Sequence, residues 1–276
     1  MGLTDRPTVF LAADMEGTTG YVEWPRPAKG ETAPPEPLER REQLLREVNA
    51  VIEGAVAGGA GKIIVSDAHW GKKNLDPANL AAGAELIRGG PRPYLWMTGV
   101  EKADMVFLVG FHAAAGTADA VLPHTIDPRI HSLHVNGQEA GEALLSALAA
   151  GYHGVPVALV SGDRALVKEV QAFLPQVAVV AVKEAVLSGS ALGLHPQEAV
   201  SRLAAAAHAA VSLAGRMPIL GPREPVDLEM TLSEPRWCEA LRLVPDVTAK
   251  GGRTIAYRAP WPRIMALLAL FAGWIR

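Results

Sequence analysis

Three short segments of this chain share a design that few folds accommodate: each is an apolar, partly β-branched run that stops at a residue able to hold a metal ion. They are residues 8–14 (TVFLAAD), 62–69 (KIIVSDAH) and 103–112 (ADMVFLVGFH). Runs that are apolar throughout, rather than alternating, belong to strands covered on both faces, the habit of parallel sheets packed between helices. Between the first two runs, residues 36–57 place Leu38, Leu45, Val48, Ile52 and Val56 at helical spacing with Arg and Glu opposite, the pattern of a crossover helix. A second crossover helix is expected over 79–88, closed by Gly89-Gly90-Pro91.

The alternation continues. A strand or bend is expected over 130–135, a helix over 139–150, buried strands over 155–160 and 177–182, a helix over 164–173 between them, and an Ala-rich helix over 196–213 opened by proline. Beyond Pro218 the texture changes: residues 226–230 alternate, a short helix is expected over 234–243, and a strand over 254–257 follows Gly251-Gly252. These signals predict an α/β fold, a mostly parallel sheet flanked by helices, in two parts. Residues 1–216 form the α/β metal-binding catalytic domain, and 217–276 form a smaller α+β lobe packed on it.

Composition narrows the function. A chain of 276 residues buries enough surface to fold without a staple, so a metal ion would serve chemistry and not the fold. With 26 Lys plus Arg against 29 Asp plus Glu and no basic tail, the chain lacks the footprint of a nucleic-acid binder. The single cysteine, Cys238, excludes an internal disulfide and a thiolate cluster. Residues 1–10 carry Asp5, Arg6 and Pro7 where an export signal has its apolar core, which predicts a cytoplasmic protein. The apolar tail 264–275 falls short of the roughly 20 residues a membrane helix needs and is expected to pack on the domain, so no membrane partner is expected.

In an open parallel sheet, functional residues gather just beyond the carboxyl ends of the strands. Here those ends deliver Asp14 with Glu16, Asp67 with His69, and His112. Asp14 and Glu16 are two apart, so extended backbone turns both carboxylates to one side, and Gly17 lets the chain turn away. Two carboxylates held together repel unless a cation lies between them, and an oxygen-and-imidazole donor set without thiolate suits zinc, or less selectively manganese or cobalt. Singly, each residue has an ordinary structural explanation, as a helix cap or a core-boundary histidine. Their joint position at three strand ends favours metal. Glu142, in the first turn of the 139–150 helix, suits the helix dipole whether or not it binds an ion. His124 lies in a polar loop, and His131 and His134 fall in the 130–135 strand, where a structural role is expected.

In order and spacing, Asp14-Met15-Glu16-Gly17 after a strand, Ser66-Asp67-Ala68-His69, Gly110-Phe111-His112-Ala113, His124 and Gly141-Glu142 resemble the zinc-dependent D-aminopeptidase family, the DppA-like peptidases. The resemblance runs on through Val160-Ser161-Gly162-Asp163-Arg164 and Ala181-Val182-Lys183 and covers nearly the whole chain. It implies two zinc ions per chain, with Asp14 bridging, Glu16 and His69 on one ion, and His112 and Glu142 on the other. It also implies that His124 is the catalytic histidine; because the loop from His112 to His124 is one residue longer than the family pattern, His131 is the fallback. The implied reaction is removal of an N-terminal D-residue such as D-Ala from short peptides, in a ring-shaped homo-oligomer, a decamer in its finer form, that admits only small substrates.

Three rival readings are weaker. The first is another two-metal hydrolase, an amidase or a phosphoesterase; a phosphoesterase needs Arg or Lys at the metals, and the ligand-bearing segments offer only Lys72-Lys73 and Arg129 nearby. A nucleotide-binding module needs a glycine-rich phosphate loop after the first strand, where this chain has the carboxylates of Asp14 and Glu16. The third is a non-catalytic oligomeric metal-binding protein.

Overall fold

The computed structural model describes residues 6–26 and 34–274. Residues 1–5, half of the stretch that bears on an export signal, lie outside the described residues. In chain order the elements are β1 (Thr8–Ala13), α1 (Leu38–Ala57), β2 (Lys62–Asp67), β3 (Ala84–Ile87), β4 (Met105–Phe111), β5 (Ile130–Val135), β6 (Gln138–Glu139), α2 (Glu142–Tyr152), β7 (Val157–Asp163), α3 (Arg164–Phe173), β8 (Ala178–Leu187), β9 (Ser190–Gly193), α4 (Pro196–Val211), β10 (Val226–Leu232), α5 (Pro235–Leu241), β11 (Thr248–Ala249), β12 (Thr254–Ala259) and α6 (Trp261–Trp274).

The main sheet has the order β3-β2-β1-β4-β7-β8-β9, parallel except for the edge strand β9. All seven residues of β4 and β7 and the last five of β1 and β2 are buried, as the unbroken apolar runs demand of strands covered on both faces. On one face α1 packs against α4. The register sets Ala13 beside Asp67 on one flank and Val109 on the other, so three strands end at the same height. The chain leaves β1 toward β2 on one side and returns as β4 on the other, and the crevice at that switch is where parallel sheets place their ligands.

The helix expected over 79–88 is absent. Gly83 and Gly89, both at positive φ, cut the segment to the four residues of β3, too few for a helix but enough for an edge strand beside β2. The connection before it is held by Asn49 of α1, whose side chain donates to the Asn79 carbonyl at 2.9 Å and accepts from Ala81 N–H at 2.8 Å. The helix expected from residue 139 begins at Glu142, because Gln138 and Glu139 pair with β5 and the Ala140 N–H still reaches the Leu133 carbonyl.

A second, antiparallel sheet has the order β11-β12-β10-β5-β6. It joins the C-terminal strands to β5 and β6, which the chain supplies between β4 and β7 of the main sheet. The apolar tail is α6, whose Ile264, Leu268 and Phe271 are buried. Among the described residues no helix is long and apolar enough to cross a membrane.

Candidate metal centre

Two glycines bring the exits of β1 and β4 together. A Cβ on Gly17 would lie 1.8 Å from the Phe111 carbonyl oxygen, and one on Gly110, at φ +72°, would lie 2.2 Å from the Asp14 carbonyl oxygen. Gly17 is therefore required for close approach, not for the left-handed turn its sequence position suggests. With these contacts made, Gly17 N–H donates to the Gly110 carbonyl and Asp14 N–H to that of Val109, both at 2.8 Å, so Asp14 and Glu16 face His112 across the switch.

Six buried side chains converge there: Asp14, Glu16, His69, His112, His124 and Glu142. Their donor atoms form three groups, Asp14 with Glu16 and His69, Asp14 with His112 and Glu142, and Glu16 with His112 and His124, each within 4.8 Å. Asp14 belongs to two of them: Oδ1 is 3.4 Å from His69 Nδ1, and Oδ2 is 3.4 Å from His112 Nε2. Glu16 Oε2 lies 2.8 Å from His69 Nδ1, and Glu142 Oε1 lies 3.3 Å from His112 Nε2. Asp14 Oδ2 and His112 Nε2 are enclosed yet make no hydrogen bond among the described residues. Buried donor atoms held close together without a hydrogen bond are what a site shaped for a cation leaves behind, and the acid and imidazole donors match zinc.

The charges are strongly coupled. Burial alone would raise Glu16, but His69, then His124 and His112, hold it well below the usual carboxylate range. Glu142 is likewise lowered against its burial, chiefly by His112. His69 and His112 are pushed down by burial and up further by the carboxylates, for a net rise well above the ordinary histidine range.

His124 differs. Burial and the neighbouring His112 lower it, and its ring stacks on His112 at 3.8 Å between centroids. Its Nδ1 lies 3.1 Å from the Leu122 carbonyl, which assigns the proton to that nitrogen and leaves Nε2, 3.6 Å from Glu16, as the free acceptor facing the cluster. His131, on the exposed side of β5, lies outside the cluster, and so does Asp67. Asp67 accepts from Asn74 N–H at 2.6 Å and Leu75 N–H at 2.9 Å, shaping the loop that carries His69.

Four contributors do not stand out as site residues in the sequence. Lys183 of β8 is buried, and its ammonium donates to the carbonyls of Glu16, Thr18 and Tyr21, fastening the loop that follows Asp14. Burial pushes it down to about 8. A lone lysine inside an apolar strand is the signal that could have found it. Trp24 Nε1 donates to Glu16 Oε1 at 2.7 Å, and its ring meets His124 edge-on. Tyr21 OH donates to Glu36 Oε1 at 2.6 Å, and Glu36 Oε1 is also 3.1 Å from His69 Nε2. Nothing in the sequence separates Glu36 from an ordinary acid ahead of a helix. Cys238 is buried in α5, away from all of these.

The chain matches the model of the family described as D-aminopeptidase over residues 8–270. It is 28% identical over 249 residues to a D-aminopeptidase of Bacillus subtilis (strain 168), with 89% of each chain covered. Its fold matches, with a TM-score of 0.86, the solved structure of the Zn-dependent D-aminopeptidase DppA from Bacillus subtilis, described as a self-compartmentalizing protease. That match has 26% identity and covers 97% of each chain.

Proposed function

This chain belongs to the D-aminopeptidase family, and we propose that it is a zinc-dependent aminopeptidase releasing an N-terminal D-residue, such as D-alanine, from short peptides. The observation that carries the reading is the enclosed pair Asp14 Oδ2 and His112 Nε2, 3.4 Å apart and without a hydrogen bond among the described residues, within a cluster of acids and imidazoles. In this reading two zinc ions would be held by Asp14, common to both, with Glu16 and His69 for one and His112 and Glu142 for the other. Ions held there would supply polarisation of the scissile carbonyl and a water acidic enough to ionise near neutral pH.

The chain's own groups do the rest. His124, neutral through burial, has Nε2 free to take a proton from the attacking water and return it to the leaving amine. Trp24 orients Glu16 through its indole N–H, and Lys183 keeps the loop of Asp14 and Glu16 from shifting. Glu142 Oε1 accepts from the Ile126 N–H at 2.7 Å, which fixes the carboxylate against the loop of His124. Enclosure of the cluster strengthens each of these electrostatic contacts.

The D-preference is supported by family membership and is tested by assaying D-Ala and L-Ala dipeptides side by side with zinc-loaded protein. Faster cleavage of the D-series is expected. Equal rates, or faster L-cleavage, overturn the D-specific reading, and no hydrolysis of either overturns the aminopeptidase reading.

Assembly as a homo-oligomer, with a decameric ring as its finer form, is part of the same proposal. The self-compartmentalizing relative supports it, and so does the β8–β9 hairpin, which exposes Val186, Leu187 and Leu192 at 65–74% of their surface. Light scattering of the purified protein decides it, with a monomer as the contrary result.

A further inference from the structure

Beside the cluster lies a second cavity of about 480 Å³, walled by Trp24, Pro34, Pro35, Trp70 and two carboxylates, Glu16 and Glu36. Glu16 is committed: Oε1 accepts from Trp24 and Oε2 faces His69. Glu36 is half committed. Its Oε1 accepts from Tyr21 and faces His69 Nε2, while its Oε2 is buried without a hydrogen-bond partner among the described residues. Among the described residues the nearest cation to Oε2 is Arg40, whose Nη1 is 3.8 Å away, too far to donate. The Glu36 side chain is only 7% exposed.

A buried carboxylate oxygen without a donor is costly, and a ligand bringing a charged N–H group would remove that cost. We propose that Glu36 Oε2 receives the α-ammonium of the substrate, so that Glu36 reads the free amino terminus and makes the enzyme an exopeptidase. The proposal rests on the aminopeptidase reading and deepens it.

The spacing agrees. His69 presents Nδ1 to Asp14 and Glu16 and Nε2 to Glu36, so one imidazole ring separates the carboxylate from the cluster. On a peptide, one α-carbon separates the amino nitrogen from the scissile carbonyl carbon, about 2.5 Å across two bonds. A charge-assisted hydrogen bond of about 2.8 Å completes the reach from carbonyl to carboxylate. An N-acylated peptide offers neither the charge nor the three donors, and its acyl group would press on Glu36.

Glu36→Gln tests this, because the amide retains an acceptor oxygen for Tyr21 and His69 while losing the charge. With zinc content confirmed by elemental analysis, KM for D-Ala-D-Ala should rise roughly 10- to 100-fold with a smaller change in kcat. The wild-type preference for the free-amine peptide over its N-acetyl form should shrink by the same factor. If Glu36 merely positions His69, the variant will instead lose zinc or slow both peptides equally, and the proposal falls.

A binding measurement separates this result from the fate of the catalytic reading. In an NMR titration of zinc-loaded protein with D-alanine and with D-lactate, which has a hydroxyl in place of the ammonium, wild type should favour D-alanine and Glu36→Gln should not. An undiminished preference in the variant overturns the proposal even if the enzyme hydrolyses peptides well. A lost preference supports it even if no peptide is cleaved.

Discussion

His69, beyond the end of β2, and His112, beyond the end of β4, face Asp14 from opposite sides, yet their surroundings differ. His69 has carboxylates at both ring nitrogens, Glu16 at 2.8 Å and Glu36 at 3.1 Å, and borders the cavity of about 480 Å³. His112 is 1% exposed, places Nδ1 3.1 Å from the Ala113 carbonyl, and stacks on His124. His69 borders the ligand-sized space directly, whereas His112 is enclosed behind His124, which lines that same space. In the proposed reading, symmetry in the strand ends becomes asymmetry in function: substrate contact on the His69 side, proton movement by His124 on the His112 side.

The most disruptive way to break this comparison is to remove what the halves share. Asp14→Ala should strip both sites, taking zinc from about two ions per chain to near none and peptide hydrolysis to background. The fold should survive, since its core does not depend on the ions. Full zinc occupancy after this change, read by elemental analysis, removes Asp14 from the bridging position.

A narrower cut falls on the His112 side. His124→Ala should leave zinc in place and lower kcat by roughly 100-fold or more, with KM moved much less. Unchanged kcat on a good peptide substrate sinks the acid–base role. Loss of zinc would make His124 a ligand beside Glu16 and His112 instead.

The smallest effect tests what the halves have in common. Without zinc, burial lowers both His69 and His112, but the carboxylates raise them further, so both hold protons above the ordinary range. Ligation requires neutral imidazole, so binding expels protons and zinc affinity should rise with pH, about tenfold per unit for each proton displaced. The sign for stability is opposite in the zinc-free protein. Histidines whose folded values are raised stabilise the fold fully below their unfolded value, and that contribution is lost as pH rises through the folded value. The Tm of zinc-free protein should therefore fall across that window while the zinc-loaded Tm does not. A zinc-free Tm that rises through neutrality contradicts protonated imidazoles at His69 and His112.

Local sequence determined a good deal of this protein. The apolar runs dictate buried parallel strands, and the spacing in 36–57 dictates α1. These signals are legible because periodicity acts within a few residues. The strand ends also displayed Asp14, Glu16, His69 and His112, since a polar residue terminating a buried run is visible without a partner.

Only the tertiary structure decided the rest, because it depends on pairings between distant segments. β5 reads as a strand, but only its pairing with β10 assigns it to the second sheet. Asp67 and His69 are equivalent in sequence until the 68–75 loop folds back, placing Asp67 under backbone N–H groups and His69 in the cluster. Lys183 lies 167 residues from Glu16, and Glu36 lies 33 from His69, separations at which neither periodicity nor motif carries information. Their roles arise from burial. Once water is excluded, each charged group must be satisfied by whatever the fold brings within reach, and at Glu36 one buried carboxylate oxygen has no hydrogen-bond partner among the described residues.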